Sequence, residues 1–87
     1  MTFEKVVDGY TFKAPSRRKG KKYDVFNADG KHIASFGALG YQQFSDRIGH
    51  YRSMNHNDFK RLELYYARHG REAQKESPKW FSHRYLW

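Results

Sequence analysis

Apolar and polar residues alternate most cleanly between Lys22 and Phe36, where Lys22-Tyr23-Asp24-Val25-Phe26 and Lys31-His32-Ile33-Ala34-Ser35-Phe36 flank the tetrapeptide Asn27-Ala28-Asp29-Gly30. A period of two interrupted by such a tetrapeptide predicts a β-hairpin. Asn first, Asp third and Gly where a positive φ is required suit a type I turn followed by a G1 bulge. That turn sets Asn27 opposite Lys31, Val25 opposite Ile33 and Tyr23 opposite Ser35. Tyr23, Val25 and Ile33 then share one face, and Phe26, Ala34 and Phe36 the other. Both faces are partly apolar, so the ribbon is expected to be covered on both sides.

Past Gly37 and Gly40 the period lengthens. Tyr41, Phe44, Ile48 and Tyr51 recur at steps of three and four, the spacing of a short helix, which Gly49 weakens. A second helix has clearer ends: Asn55 or Asn57 to cap it, Phe59, Leu62 and Tyr66 as its apolar stripe, and Gly70 as a left-handed stop. Arg61, Tyr65 and Arg68 fall on an adjacent stripe that is expected to face outward. After a polar linker the chain runs Ser77-Pro78-Lys79-Trp80-Phe81-Ser82-His83-Arg84-Tyr85-Leu86-Trp87. Trp80, Phe81, Tyr85 and Trp87 left in water would form an adhesive patch, so they should close the core or dock a partner, with core closure favoured.

Ahead of the hairpin lie a mixed stretch and then Pro15-Ser16-Arg17-Arg18-Lys19-Gly20-Lys21-Lys22, in which Arg17, Arg18, Lys19, Lys21 and Lys22 are cationic. With both Pro and Gly in that run, residues 1–21 are expected to be a basic, partly mobile N-terminal arm, docked at most through Val6, Tyr10 and Phe12. Residues 22–87 then form a single small globular domain. The expected class is α+β: a central β-hairpin with two short helices and an aromatic C-terminal segment, preceded by the basic arm.

Composition sharpens this picture at three points. A chain of 87 residues has room for one core, and without cysteine it has no disulfide, thiolate nucleophile or cysteine-bearing zinc site. Seven Phe, seven Tyr and two Trp compensate, because each large ring removes roughly 150 to 250 Å² from water when buried. Seventeen Lys plus Arg against nine Asp plus Glu give a net charge of +8, which creates a potential that gathers anions. No apolar run approaches the roughly 20 residues that span a bilayer, so no membrane partner is expected. Val6-Val7, followed at once by Asp8, is too short for a signal-peptide core, so secretion by that route is not expected either.

The residues capable of carrying chemistry do not assemble into a catalytic signature. His50, His56, Asn57 and His69 loosely follow the order of a His-Asn-His nuclease, but the hairpin that such a metal-dependent enzyme builds upon lies here before all four. His56-Asn57-Asp58 has a simpler use at a helix start, where Asp58 complements the helix dipole. No two histidines stand at the helical spacing that aims a pair of imidazoles at one zinc ion, and no serine elbow, phosphate-cradling glycine loop or paired carboxylate is present. We therefore expect no enzymatic activity, no metal and no cofactor. What remains is cationic: Arg17, Arg18, Lys19, Lys21, Lys22, Lys60, Arg61, Arg68, Arg71, Lys79 and Arg84 are the candidate nucleic-acid or anion contacts. Trp80, Phe81, Tyr85 and Trp87 are the candidates for aromatic docking or core closure. No helix-turn-helix, zinc-finger or aromatic strand motif points to base-specific readout.

Lys22-Tyr23-Asp24-Val25, Gly30-Lys31, Phe36-Gly37, Tyr41, His56 with Asp58 and Arg61, Tyr66-x-Arg68-His69 and the closing Leu86-Trp87 together resemble a small domain of unknown function found in large DNA viruses and some phages. The resemblance leaves the first 21 residues outside. It implies a small basic viral protein, located in the virion or the host cell interior: a structural or accessory virion component such as a minor capsid protein. Its partner would be nucleic acid or an acidic protein surface, including other virion proteins. The alternative is a free, sequence-nonspecific DNA- or RNA-binding protein of viral replication or transcription, and a His-Asn-His-like nuclease stands third.

Overall fold

The computed structural model of the chain describes residues 2–87, and its first hairpin turns on Asp8 and Gly9, at φ 55° and 83°. Two consecutive positive φ values match the right-handed twist of the flanking strands, which is why Asp-Gly is a strong two-residue hairpin signal. β1 (Phe3–Val7) pairs antiparallel with β2 (Tyr10–Ala14), from Phe3 opposite Ala14 to Val7 opposite Tyr10. β2 in turn pairs with β3 (Lys21–Phe26), setting Phe12 opposite Val25. The expected N-terminal arm is thus corrected: most of residues 3–14 form two strands of the sheet. The physical reason lies in Tyr10-Thr11-Phe12-Lys13-Ala14, whose alternation sends Phe12 and Ala14 into the core, both 0% exposed. Only residues 15–20, with Arg17, Arg18 and Lys19, remain a loop, and buried Asp24 holds it through the Ser16 hydroxyl and the Arg17 N–H (2.9 Å).

β3 and β4 (His32–Ala38) form the hairpin that turn chemistry predicts. The Gly30 N–H donates to the Asn27 carbonyl at 3.0 Å, and the Asn27 N–H to the Lys31 carbonyl at 2.9 Å. Beyond the turn the register slips at Val25/Phe26, so that Val25 faces Ala34 and Tyr23 faces Phe36. This irregularity corrects the expected faces: Ile33 is left out of the pairing, and Ala34 and Phe36 join Tyr23 and Val25 on the core side. The sheet is a four-stranded antiparallel meander in the order β1-β2-β3-β4.

The helix expected over Tyr41 to Tyr51 is absent, and the chain there is irregular apart from a 3-10 turn at Arg52–Met54. Local side-chain hydrogen bonds outcompete helix formation. The Asp46 carboxylate accepts N–H bonds from Ile48 (2.9 Å), Gly49 (3.0 Å) and Tyr51 (2.8 Å), and the Tyr23 hydroxyl as well. Ile48 is nevertheless buried and Tyr51 packs against the core, so their spacing reflects contacts of a loop folded against the sheet, whereas Tyr41 stays exposed.

The two helices are α1 (Phe59–His69) and α2 (Pro78–Tyr85). Asp58 caps α1, accepting from the Lys60 and Arg61 N–H groups, rather than Asn55 or Asn57. Asn55 is engaged elsewhere, accepting from Asp46 N–H and Gln43, and Asn57 sits at φ 54°. Gly70 ends α1 with its N–H on the Tyr66 carbonyl. The aromatic segment is itself helical: Ser77 caps it and Pro78 starts it, a favoured pair at a helix entry. Phe81 and Tyr85 project from α2 into the core and Leu86 follows, whereas Trp80 and Trp87 are half-buried at its edge. Phe12 is the hub, with ring centroids 4.8 Å from Tyr85, 6.0 Å from Phe36, 6.2 Å from Phe81 and 6.3 Å from Tyr23. No described helix is long and apolar enough to cross a membrane.

Candidate nucleic-acid interface

Helical geometry brings Arg61, Leu64, Tyr65 and Arg68 onto one face of α1, since steps of three, four and seven residues nearly complete whole turns. This stripe faces outward, with Arg61, Leu64 and Arg68 exposed, and lines an open cleft of about 620 Å³. Lys21 and Lys22 of β3, the end of β4 at Phe36 to Ala38, residues 41–43, and Pro78, Lys79 and Ser82 of α2 form the other walls, with Leu86 and Trp87 beyond them. Five of the eleven sequence-predicted cations, Lys21, Lys22, Arg61, Arg68 and Lys79, therefore meet here, joined by His69, and no Asp or Glu lines the cleft. Among the described residues the ion pairs are Lys13 with Glu4, His32 with Asp24 and Arg84 with Asp8, none of them in the cleft. Like charges so gathered, without Asp or Glu side chains among them, leave a positive potential for an external anion to neutralise.

Lys22 differs from the rest. Only 2% exposed, its ammonium donates to the Tyr41 carbonyl at 2.6 Å and to the Gln43 side-chain oxygen. Burial pushes its pKa below the usual lysine value, an effect that Asp46 opposes. The expected phosphate contact is corrected to a structural one: Lys22 fixes the backbone of the cleft's rim. Arg61 is oriented by the Gln42 side-chain oxygen at 2.8 Å and stays exposed.

The other predicted cations lie apart. Arg17 and Arg18 border a smaller depression with Asp24, Phe26, His32 and Ser35, and Lys19 is exposed in the same loop. Arg71 covers the Tyr66 ring at 4.8 Å, and Arg84 lies over Trp80 at 5.3 Å and 3.9 Å from Asp8. Lys60 is exposed on α1, away from the cleft lining. Of the aromatic candidates, Phe81 and Tyr85 close the core and Trp80 packs on Tyr10 and Phe81. Trp87 stacks on Tyr65, centroids 4.2 Å apart and planes 5° from parallel. With the Tyr65 and Tyr66 hydroxyls on His83, this stack fastens α1 to α2. Burial pushes the Tyr65 hydroxyl up to about 12, so it stays a neutral donor or acceptor in this contact.

The histidines serve packing. His56 lies against Phe44 and Trp87 and accepts the Asp58 N–H, His50 lies on Phe3 and Tyr51, and His69 on Tyr65. Burial pulls His56 and His83 below the ordinary imidazole pKa; Arg61 adds to the first shift, Lys79 and His69 to the second. Among the described residues no three His, Cys, Asp or Glu side chains are grouped as a metal would require.

Comparison of the chain with protein-family models, curated proteins and solved structures finds no match. Tyr41, Gln42, Leu64, Tyr65 and His69 are cleft residues that were not among the sequence-derived contacts. For Tyr65 the signal was its helical spacing from Arg61 and Arg68, and for His69 its step of four from Tyr65. For Tyr41 and Gln42 there was none, because their position depends on the buried Lys22.

Proposed function

We propose that this chain is a non-enzymatic polyanion-binding domain that holds nucleic acid in the basic cleft through salt-sensitive phosphate contacts. The observation that carries the reading is the convergence of Lys21, Arg61, Arg68 and Lys79 on a single concave surface lined by no Asp or Glu side chain. Counterion release makes such binding lose affinity linearly in log salt, with a slope of about −0.7 per phosphate contacted on a single strand. Four contacts therefore weaken binding roughly 50-fold between 50 and 200 mM salt. Titration of a fluorescent oligonucleotide at those two concentrations tests this directly, and a change below about threefold contradicts it.

An acidic protein surface as the bound polyanion is the second reading. Phe59 and Leu64 favour it, since they stand 72% and 58% exposed on α1 beside Lys60 and Arg61 and add nothing to phosphate contacts. Weak salt dependence with DNA and tight binding to an acidic polypeptide would select it. The resemblance of the segment from Lys22 onward supports a viral setting, as a virion structural or accessory component or, alternatively, a free nonspecific nucleic-acid-binding protein of replication or transcription. Mass spectrometry of purified particles separates these: fixed copy number in the particle marks the component, and absence marks the intracellular factor.

A further inference from the structure

We infer that the cleft selects single-stranded over double-stranded nucleic acid and that the Tyr41 ring is the platform on which an unpaired base stacks. This rests on the nucleic-acid reading above and goes further in naming the form of the ligand.

Shape comes first. A volume of about 620 Å³ lies within the roughly 300 to 1,000 Å³ of sites that enclose one small ligand. A duplex carries its phosphates on the outside of a wide cylinder with the bases stacked within, and a cleft of that volume admits neither the cylinder nor its bases. A single strand can lower a nucleotide into it. The convex route to a duplex, a basic helix laid in the major groove, is also poorly provided for. The side of α1 opposite the cleft carries Lys60, Glu63 and Ala67, whose charges cancel, while Arg61 and Arg68 are turned into the cleft.

Tyr41 supplies the second observation. Every other tyrosine packs its ring on another aromatic: Tyr10 on Phe81, Tyr23 on Phe36, Tyr51 on Tyr23, Tyr65 on Trp87, Tyr66 on His83 and Tyr85 on Phe12. Tyr41 is 71% exposed at the cleft, although burying it would contribute to a small core. Its backbone is nevertheless held at both polar groups. The N–H donates to the Ala38 carbonyl at 3.3 Å, and the carbonyl accepts from the buried Lys22 ammonium at 2.6 Å. An exposed ring on a fixed backbone needs little ordering on contact with a base, which is how aromatic platforms bind single strands without sequence preference. Beside it, Gln42 is held through its oxygen by Arg61, which leaves its amide N–H groups for a base edge or phosphate.

The test is fluorescence anisotropy at 0.1 M salt with labelled dT12 and a 12-base-pair duplex, using the full chain, Tyr41→Ala, Tyr41→Phe and the double variant Arg61→Ser/Arg68→Ser. We expect dT12 to bind at least tenfold more tightly than the duplex. Tyr41→Ala should weaken dT12 roughly five- to 100-fold while leaving the duplex unchanged, and Tyr41→Phe should retain the affinity. Unchanged melting of Tyr41→Ala guards against a folding artefact. If both nucleic acids bind and respond to Arg61→Ser/Arg68→Ser, but dT12 is not preferred or is indifferent to Tyr41→Ala, the present inference is overturned and the polyanion reading stands. If neither binds, the nucleic-acid reading fails and takes the inference with it.

Discussion

Replacing Phe12 by Ala removes the β2 ring against which β3, β4 and α2 all pack. Phe12 is 0% exposed, and its neighbours Tyr23, Phe36, Phe81 and Tyr85 are held by the sheet and α2, so the space left behind cannot collapse readily. Truncations of this kind cost about 3 to 5 kcal/mol, the transfer free energy of the ring plus the cavity. An 87-residue domain has only about 4 to 13 kcal/mol in total, so roughly a quarter or more of its stability disappears. At about 4 to 8 °C per kcal/mol for domains of this size, the melting temperature should fall by at least 12 °C or so. Phe12→Leu, which refills part of the space, should lose roughly 1 to 2 kcal/mol. Val6→Ala on the same hairpin, 64% exposed, should stay within about 0.5 kcal/mol. Urea unfolding followed by near-ultraviolet circular dichroism reports all three. A Phe12→Ala protein that unfolds at the wild-type midpoint would refute the packing of residues 3–14 into the core and restore a free arm.

Three further outcomes follow from other contacts. Gly37→Ala places a Cβ 3.0 Å from the Leu86 Cδ1 and 3.1 Å from the Lys22 Cβ at a φ of 81°, so urea titration should show a loss of about 2 to 4 kcal/mol, left-handed strain and overpacking together. Trp87→Ala removes the stack that fastens α1, so hydrogen exchange should accelerate in α1 amides well before those of β3. His56 and His83 are both held below the unfolded imidazole value of about 6.5 by burial. Their contribution is complete above about pH 6.5 and is lost as pH falls toward their folded-state values, because the unfolded chain then binds protons that the folded one resists. Thermal unfolding between pH 7.5 and 5 should show a falling melting temperature, shallower in His83→Gln; a flat profile contradicts the assignment.

How much could be read from the residues follows from how local each cause is. The turn at Asn27 to Gly30 and the end of α1 at Gly70 were legible because a few adjacent residues determine them. Asp8-Gly9 is as local a signal, but the neighbouring cations drew the stretch toward an arm, although Phe12 and Ala14 alternate with Thr11 and Lys13. Tyr41, Phe44, Ile48 and Tyr51 illustrate the opposite error. Their spacing is helical, yet Asp46 captures the N–H groups of Ile48, Gly49 and Tyr51, a competition that periodicity does not register. In the cleft, charge identified Lys21, Arg61, Arg68 and Lys79, whereas their convergence depends on the packing of α1 against α2 through Tyr65, Trp87 and His83. Lys22 looks like its neighbours in sequence and is distinguished only by burial.

The measurement that bears most directly on the basic cleft as the binding surface is amide chemical-shift mapping of the isotope-labelled chain during titration with a short oligothymidylate. Perturbations should concentrate at Lys21, residues 41–43, Arg61 to Arg68 and Lys79, and should vanish together in Arg61→Ser/Arg68→Ser/Lys79→Ser. Perturbations confined to Arg17, Arg18 and His32, or spread evenly over all exposed cations, would contradict it.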